Sequence, residues 1–239
     1  MDLKGRIAVI TGASRGIGKA TAVALAEKGC AVGLMARTES TLAQTAKECR
    51  GFGSEVFALP VDLGSPAAAA EGLKLLVREL GGLDILINNA GTSASGSIEE
   101  LSLEDYDQVI NLNLRSVMAL CKESVPTLKK SKQGTIINIA SIAGHLTYPG
   151  GTAYATSKHA LRAFTGCLFD DIREHGIKVS AVSPGYVNTD MVSSPKLDPS
   201  KMIQTQDIVD AIIYLLNASP TVCPTEIILR PQLAPYIQE

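Results

Sequence analysis
Short runs of β-branched and aliphatic residues recur along the chain, at 7–11, 31–36, 55–60, 85–88, 135–139, 178–183 and 226–229. Each is largely apolar on both faces, the pattern of strands buried between two covering layers. Between them lie Ala- and Leu-rich stretches with helical spacing, around 17–28, 39–50, 66–80, 103–130, 152–174 and 206–217. Ser65-Pro66 reads as a helix start, with Ser as N-cap and Pro in the first turn. Gly29, Gly81 and Gly176 punctuate helix ends. The alternation predicts the α/β class: a Rossmann-type, doubly wound, seven-stranded parallel sheet with helices on both faces. No composition shift, linker or repeat divides it, so 1–239 reads as a single domain.

Composition narrows the function classes. The 239 residues carry 22 Lys and Arg against 24 Asp and Glu, a formal net charge of -2. That balance removes the electrostatic case for nucleic acid or an anionic membrane surface as partner. Apolar residues make up 46% but aromatics only 4%, so the core must be built from Ala, Val, Ile and Leu. The five cysteines are widely spaced with no CxxC, and no His, Cys and Asp cluster has ligand spacing. Core thiols are expected, with no disulfide framework and no metal. The apolar run before Gly12 is too short for a signal-peptide core, and no stretch approaches the ~18 apolar residues of a membrane span. A cytoplasmic, soluble protein is expected.

The first candidate chemistry follows the first strand, in Thr11-Gly12-Ala13-Ser14-Arg15-Gly16-Ile17-Gly18. Gly12 permits a tight turn; Gly16 and Gly18 let backbone approach a ligand and let the next helix sit close to the sheet. The helix N-terminus then offers free N–H groups to a phosphate. The spacing is GxxxGxG, and its place in the first strand–helix turn points to a dinucleotide. The second strand ends Leu34-Met35-Ala36-Arg37, without the acid that accepts hydrogen bonds from ribose hydroxyls in NAD sites. Arg15 and Arg37 together suit a phosphate dianion by charge and forked geometry, which predicts NADP(H).

A second constellation is Tyr154-Ala155-Thr156-Ser157-Lys158, a phenol and an ammonium one helical turn apart. The spacing alone is weak, since ordinary helix surfaces carry such pairs. A free phenol has a pKa near 10, and a cation held close would lower it toward the range of a general acid/base. Ser141 follows the strand 135–139, at the sheet end where ligands of such folds bind. Its hydroxyl suits a carbonyl oxygen that gains negative charge. Asn113 falls within the long helical stretch, where spacing assigns it no role.

Taken together, Thr11–Gly18, Asn88-Asn89-Ala90-Gly91, Asn113, Ser141, Tyr154-x-x-x-Lys158 and Pro184-Gly185 resemble the short-chain dehydrogenase/reductase family, in its order and over nearly the whole chain. The resemblance implies hydride transfer between a nicotinamide and a carbonyl or alcohol carbon. It implies that Tyr154 protonates the carbonyl oxygen, Lys158 holds the nicotinamide ribose and tunes Tyr154, Ser141 polarises the carbonyl, and Asn113 helps place a relay water. Gly12, Ser14, Arg15, Gly16, Ile17, Gly18 and Arg37 would meet the phosphates. Asp62 would read the adenine beside Leu63, and Asn89, Ala90 and Gly91 would line the cofactor, with Asn88 bracing the sheet. Pro184, Gly185, Val187 and Thr189 would close over the nicotinamide. NADP-preferring members, among them carbonyl reductases and 3-oxoacyl-carrier-protein reductases, resemble this chain at Arg15 and Arg37.

The chain departs from the family at its end, where Thr225-Glu226-Ile227-Ile228-Leu229-Arg230-Pro231 replaces a Gly-rich tail. Residues 190–205 read as a short polar flap over the substrate, with Pro195 and Pro199. Tyr186 is a candidate substrate wall; His145 and Tyr148 read equally as pocket or surface. The apolar face Ala160, Leu161, Phe164 and Leu168 is a candidate contact for a homodimer or homotetramer. Lys129, Lys130 and Lys132 suit a helix C-terminus, or else an acyl carrier protein. Three functions follow: an NADPH-dependent reductase of a small ketone or 3-oxoacyl thioester, an NADP-linked alcohol or sugar-alcohol dehydrogenase, and a catalytically silent NADP-binding regulator.

Overall fold
The computed structural model describes residues 3–192 and 194–237; Ser193, inside the expected flap, lies outside the described residues. The strands are β1 (Ile7–Thr11), β2 (Ala31–Ala36), β3 (Val56–Pro60), β4 (Ile85–Asn88), β5 (Thr135–Ile139), β6 (Lys178–Pro184) and β7 (Glu226–Leu229). They form one sheet in the order β3-β2-β1-β4-β5-β6-β7, every pairing parallel. The helices are α1 (Gly16–Glu27), α2 (Glu39–Arg50), α3 (Pro66–Glu79), α4 (Leu103–Ile110), α5 (Ser116–Leu128), α6 (Thr152–Ile172) and α7 (Thr205–Asn217).

Strand residues alternate between the two helical layers because the side-chain period is two. Ile10 and Leu34 join α1, α2 and α7 in one apolar cluster. Val9 and Met35 join α3, α5 and α6 in the other. From β1 the chain winds outward to β2 and β3; from β4 it winds the other way. The diverging crossovers leave a crevice at the carboxyl ends of β1 and β4, where ligands of open α/β sheets bind.

Three expectations are corrected. The helical stretch 103–130 is two helices joined by a π turn, Asn111–Arg115, which the uniform helical periodicity did not reveal. Within the apolar face Ala160, Leu161, Phe164 and Leu168, expected to be free for a subunit contact, Leu161 and Leu168 are buried in this chain's own second cluster, while Ala160 and Phe164 stay partly exposed. The flap is more than a polar strap: Leu197, Met202 and Ile203 are buried, Val187 pairs with Ile203, and Leu197 pairs with Tyr236. Its last residue, Thr205, already belongs to α7.

Candidate active site
The glycine loop is shaped by close backbone approach. Gly12 has φ +65°, and a Cβ on Gly18 would stand 2.3 Å from the Gly12 carbonyl oxygen. Gly18 therefore presses α1 onto the loop, while Gly16 and Ile17 beside it line the cavity. Arg15 is the N-cap of α1 with no side-chain cap bond, and the first turn holds no acid. Those N–H groups and the helix dipole favour an anion.

Around this loop opens a cavity of about 720 Å³. Gly12, Ser14, Arg15, Gly16, Ile17 and Arg37 form one part of its wall, and Asp62 with Leu63 the next. Asn89, Ala90 and Gly91 follow from β4; Pro184, Gly185, Val187 and Thr189 close the far side. Ser141, Tyr154 and Lys158 line the same space. A glycine loop drawn tight between β1 and α1, an uncapped helix N-terminus and two rim arginines together fit a dinucleotide.

Several of these residues are held by bonds that the sequence did not signal. Thr11 Oγ1 accepts from the backbone N–H of Asn89 and Ala90, at 2.9 and 3.0 Å. Asn89 Nδ2 donates back to the Thr11 carbonyl at 2.9 Å, locking the ends of β1 and β4 together. Asn88 donates to Asn138 Oδ1 at 2.8 Å, and Asn138 donates to Thr165 on α6 at 2.9 Å. Asp62 accepts from the Gly64 N–H at 3.0 Å, and the buried Leu63 offers its carbonyl to Ser116 at the start of α5. Arg15 pairs with Asp190 at 3.2 Å, which joins the glycine loop to the start of the flap.

Asn113 sits in the π turn, fully buried and off the cavity wall. Its Oδ1 accepts from the Thr92 N–H, and its Nδ2 donates to the Thr92 carbonyl, both at 2.9 Å. The same Nδ2 reaches Ser157 Oγ at 3.0 Å, and Ser157 donates to the Tyr154 carbonyl at 2.7 Å. Asn113 thus staples the π turn and the β4 loop to the first turns of α6. Functional sites often carry such π bulges.

The reacting groups face the cavity from α6 and the end of β5. Ser141 Oγ accepts from the Ala143 N–H at 3.1 Å and donates only a long bond, 3.5 Å, to the Pro184 carbonyl. Lys158 Nζ donates to the Ile139 carbonyl at 2.8 Å and lies 5.6 Å from the Tyr154 ring centroid. Burial lowers the Lys158 pKa to about 8. The expectation that Lys158 draws the Tyr154 phenol down is corrected. Burial raises Tyr154 above its ordinary value, and the opposing pull comes from the Ser141 hydroxyl. The phenol is therefore held neutral at pH 7, as a proton donor must be.

Tyr186 stands outside the cavity wall, its hydroxyl 2.8 Å from that of Tyr236. His145 is turned away from a substrate role: its Nε2 is 2.8 Å from Glu226 Oε1. Glu226 also accepts from Arg162 Nε at 2.8 Å and Ser183 Oγ at 2.7 Å. Among the described residues, no group of three or more His, Cys, Asp or Glu is placed to hold a metal ion, and no helix is long and apolar enough to cross a membrane.

The sheet order and this cavity define a Rossmann-type oxidoreductase. The short chain dehydrogenase model matches residues 6–199. An uncharacterised oxidoreductase of Staphylococcus aureus strain MRSA252 is 33% identical over 229 residues, covering 96% of this chain and 98% of its own. A metagenomic short-chain oxidoreductase solved with NADP is 31% identical with a TM-score of 0.85, covering 98% and 100% of the two chains. An NAD+-bound xylitol dehydrogenase is 26% identical with a TM-score of 0.86, covering 95% and 98%. The chain belongs to the short-chain dehydrogenase family.

Proposed function
We propose that the protein is an NADP(H)-dependent oxidoreductase that reduces a carbonyl, in a small ketone or a 3-oxoacyl thioester, to an alcohol. The observation that carries this reading is the half-buried Tyr154 phenol on the same cavity wall as Ser141 and Lys158, with Lys158 Nζ 5.6 Å from its ring centroid. A nicotinamide dinucleotide, when bound, supplies hydride to the carbonyl carbon. Tyr154 gives its proton to the carbonyl oxygen, so the C=O bond becomes CH–OH. Ser141 donates to that oxygen as its charge grows. Lys158, with a pKa near 8, is suited to return a proton to the phenolate. Arg15 and Arg37 on the cavity rim support the extra phosphate of NADP(H). The NADP-bound neighbour agrees with this choice, while the NAD+-bound xylitol dehydrogenase motivates an assay in the oxidising direction as well.

The test is a panel of ketones, diketones and 3-oxoacyl thioesters with NADPH and NADH, followed by absorbance. NADPH is expected to give the higher kcat/KM, and a preference for NADH would overturn the assignment. Tyr154→Phe should bind NADPH as wild type does and lose at least roughly 100-fold in turnover. Unchanged turnover would sink the mechanism. NADPH binding with no turnover of any carbonyl or alcohol would leave the silent regulator.

A further inference from the structure
The chain has few rings: four Phe, six Tyr and no Trp. Four of those tyrosines gather on the substrate side of the sheet. Tyr154 starts α6 on the cavity wall. Tyr148 covers the approach to that helix, where a Cβ on Gly151 would stand 2.7 Å from its ring. Tyr186 lies between Gly185 and Val187, which both line the cavity. The Tyr186 ring meets Tyr236 edge to face, with centroids 5.8 Å apart and planes at 76°. Tyr148 is close enough to act electrostatically on both Tyr154 and Tyr186.

Tyr236 lies on the C-terminal stretch beyond Pro231, and the flap fixes its place. The Asp198 N–H donates to the Pro235 carbonyl at 2.8 Å, and the Ile237 N–H to the Lys196 carbonyl at 3.0 Å. Tyr148 and Tyr236 nevertheless keep 47% and 54% of their surface exposed. The Tyr186 and Tyr236 hydroxyls bond one another, which holds the two rings together as one aromatic surface. The flap's carboxylates are engaged as well, Asp190 with Arg15 and Asp198 with Lys201. What this mouth offers a substrate above all is ring surface.

We propose that the mouth selects an aryl ketone, its ring seated between Tyr148 and the Tyr186–Tyr236 pair and its carbonyl at Ser141 and Tyr154. The proposal rests on the carbonyl-reductase reading above. Exposed rings attract another ring through offset or edge-to-face contact beyond the area they bury. Tyr236 is then a specificity residue contributed by the C-terminal tail.

The experiment compares acetophenone with cyclohexyl methyl ketone, nearly equal in size and different in aromaticity. The ratio of their kcat/KM values in each variant, divided by the wild-type ratio, cancels intrinsic reactivity. Tyr236→Leu and, independently of the tail, Tyr148→Leu should each lower the ratio by roughly three- to tenfold. Tyr236→Phe should hold it. NADPH binding by fluorescence checks that each variant is folded. A ratio unmoved in both Leu variants overturns the proposal. So does a Tyr236→Leu protein that changes only its sedimentation mass, because the tail is then a subunit contact. If neither ketone is reduced while diketones or 3-oxoacyl thioesters are, this inference fails and the reductase reading stands. If no carbonyl compound oxidises NADPH, the reductase reading itself fails.

Discussion

Lys158 is 4% exposed, and burial holds its pKa near 8, below that of a free lysine. The unfolded chain binds that proton up to about pH 10.4, so below pH 8 folding must bury a charge. Between pH 8 and 10 the folded state releases the proton first, and the cost falls as pH rises. Lys158→Met should therefore be more stable than wild type at pH 7, by roughly 1–3 kcal/mol, with the gap closing toward pH 10. Urea melts across that range check it; a gap that widens with pH would contradict the sign. Arg15 and Asp190 make a contrasting pair, both about 70% exposed and so worth under about 1 kcal/mol. On the proposed reading, Asp190 competes with the cofactor's 2′-phosphate for Arg15. Asp190→Asn should then tighten NADPH binding by about two- to fivefold and leave NADH unchanged. Equal effects on both cofactors, measured by fluorescence titration, would remove Arg15 from that phosphate.

At the scale of elements, the informative join lies where β7 begins. Glu226 gathers Arg162 of α6, Ser183 of β6 and His145 of the turn after Ser141. Arg162 also donates to the Gly144 carbonyl at 2.7 Å. One carboxylate thus ties together the three segments that carry Ser141, Tyr154 with Lys158, and Pro184. Burial opposes its ionisation, but hydrogen bonds from Arg162, Ser183 and His145 outweigh that and pull its pKa to about 2. Because the folded value lies below the unfolded one, the stabilisation is complete above about pH 4.5 and fades as pH falls toward 2. Solvent screening limits it to about 1–2 kcal/mol. Glu226→Gln should lose that much at pH 7 in denaturant melts, and the difference from wild type should shrink below pH 4.5. A constant difference from pH 7 to pH 3 would mean that the charge contributes nothing.

For the whole molecule, the parallel sheet places every chemical group at one end. Thr11, Asn89, Ser141 and Pro184 each end or follow a strand, and the reversal at β1 and β4 opens the space between them. The two apolar clusters are mostly Ala, Val, Ile and Leu. Most of the scarce tyrosines are thereby left for the mouth of the cavity. The C-terminal tail then closes back on the flap through Leu197 and Tyr236.

Strands, most helices, the glycine loop and the Tyr154–Lys158 pair were legible because each is written in short-range order: period two, period 3.6, or a turn's spacing. The family pattern joined Ser141 to them and named Asn113. Other features were not legible, because they depend on residues far apart in the chain. The π turn at Asn111–Arg115 goes with an Asn113 amide that bonds Thr92 and Ser157. Glu226 meets Arg162 across 64 positions, and Tyr186 meets Tyr236 across 50. The direction of the Tyr154 shift was misread from sequence, where a nearby cation was expected to pull the phenol down. Desolvation decides it, and desolvation exists only once the layers pack. The sequence alone determined which groups are present and how each local element orders them. The tertiary structure decided which groups lose water and which meet, because both follow from packing between distant segments.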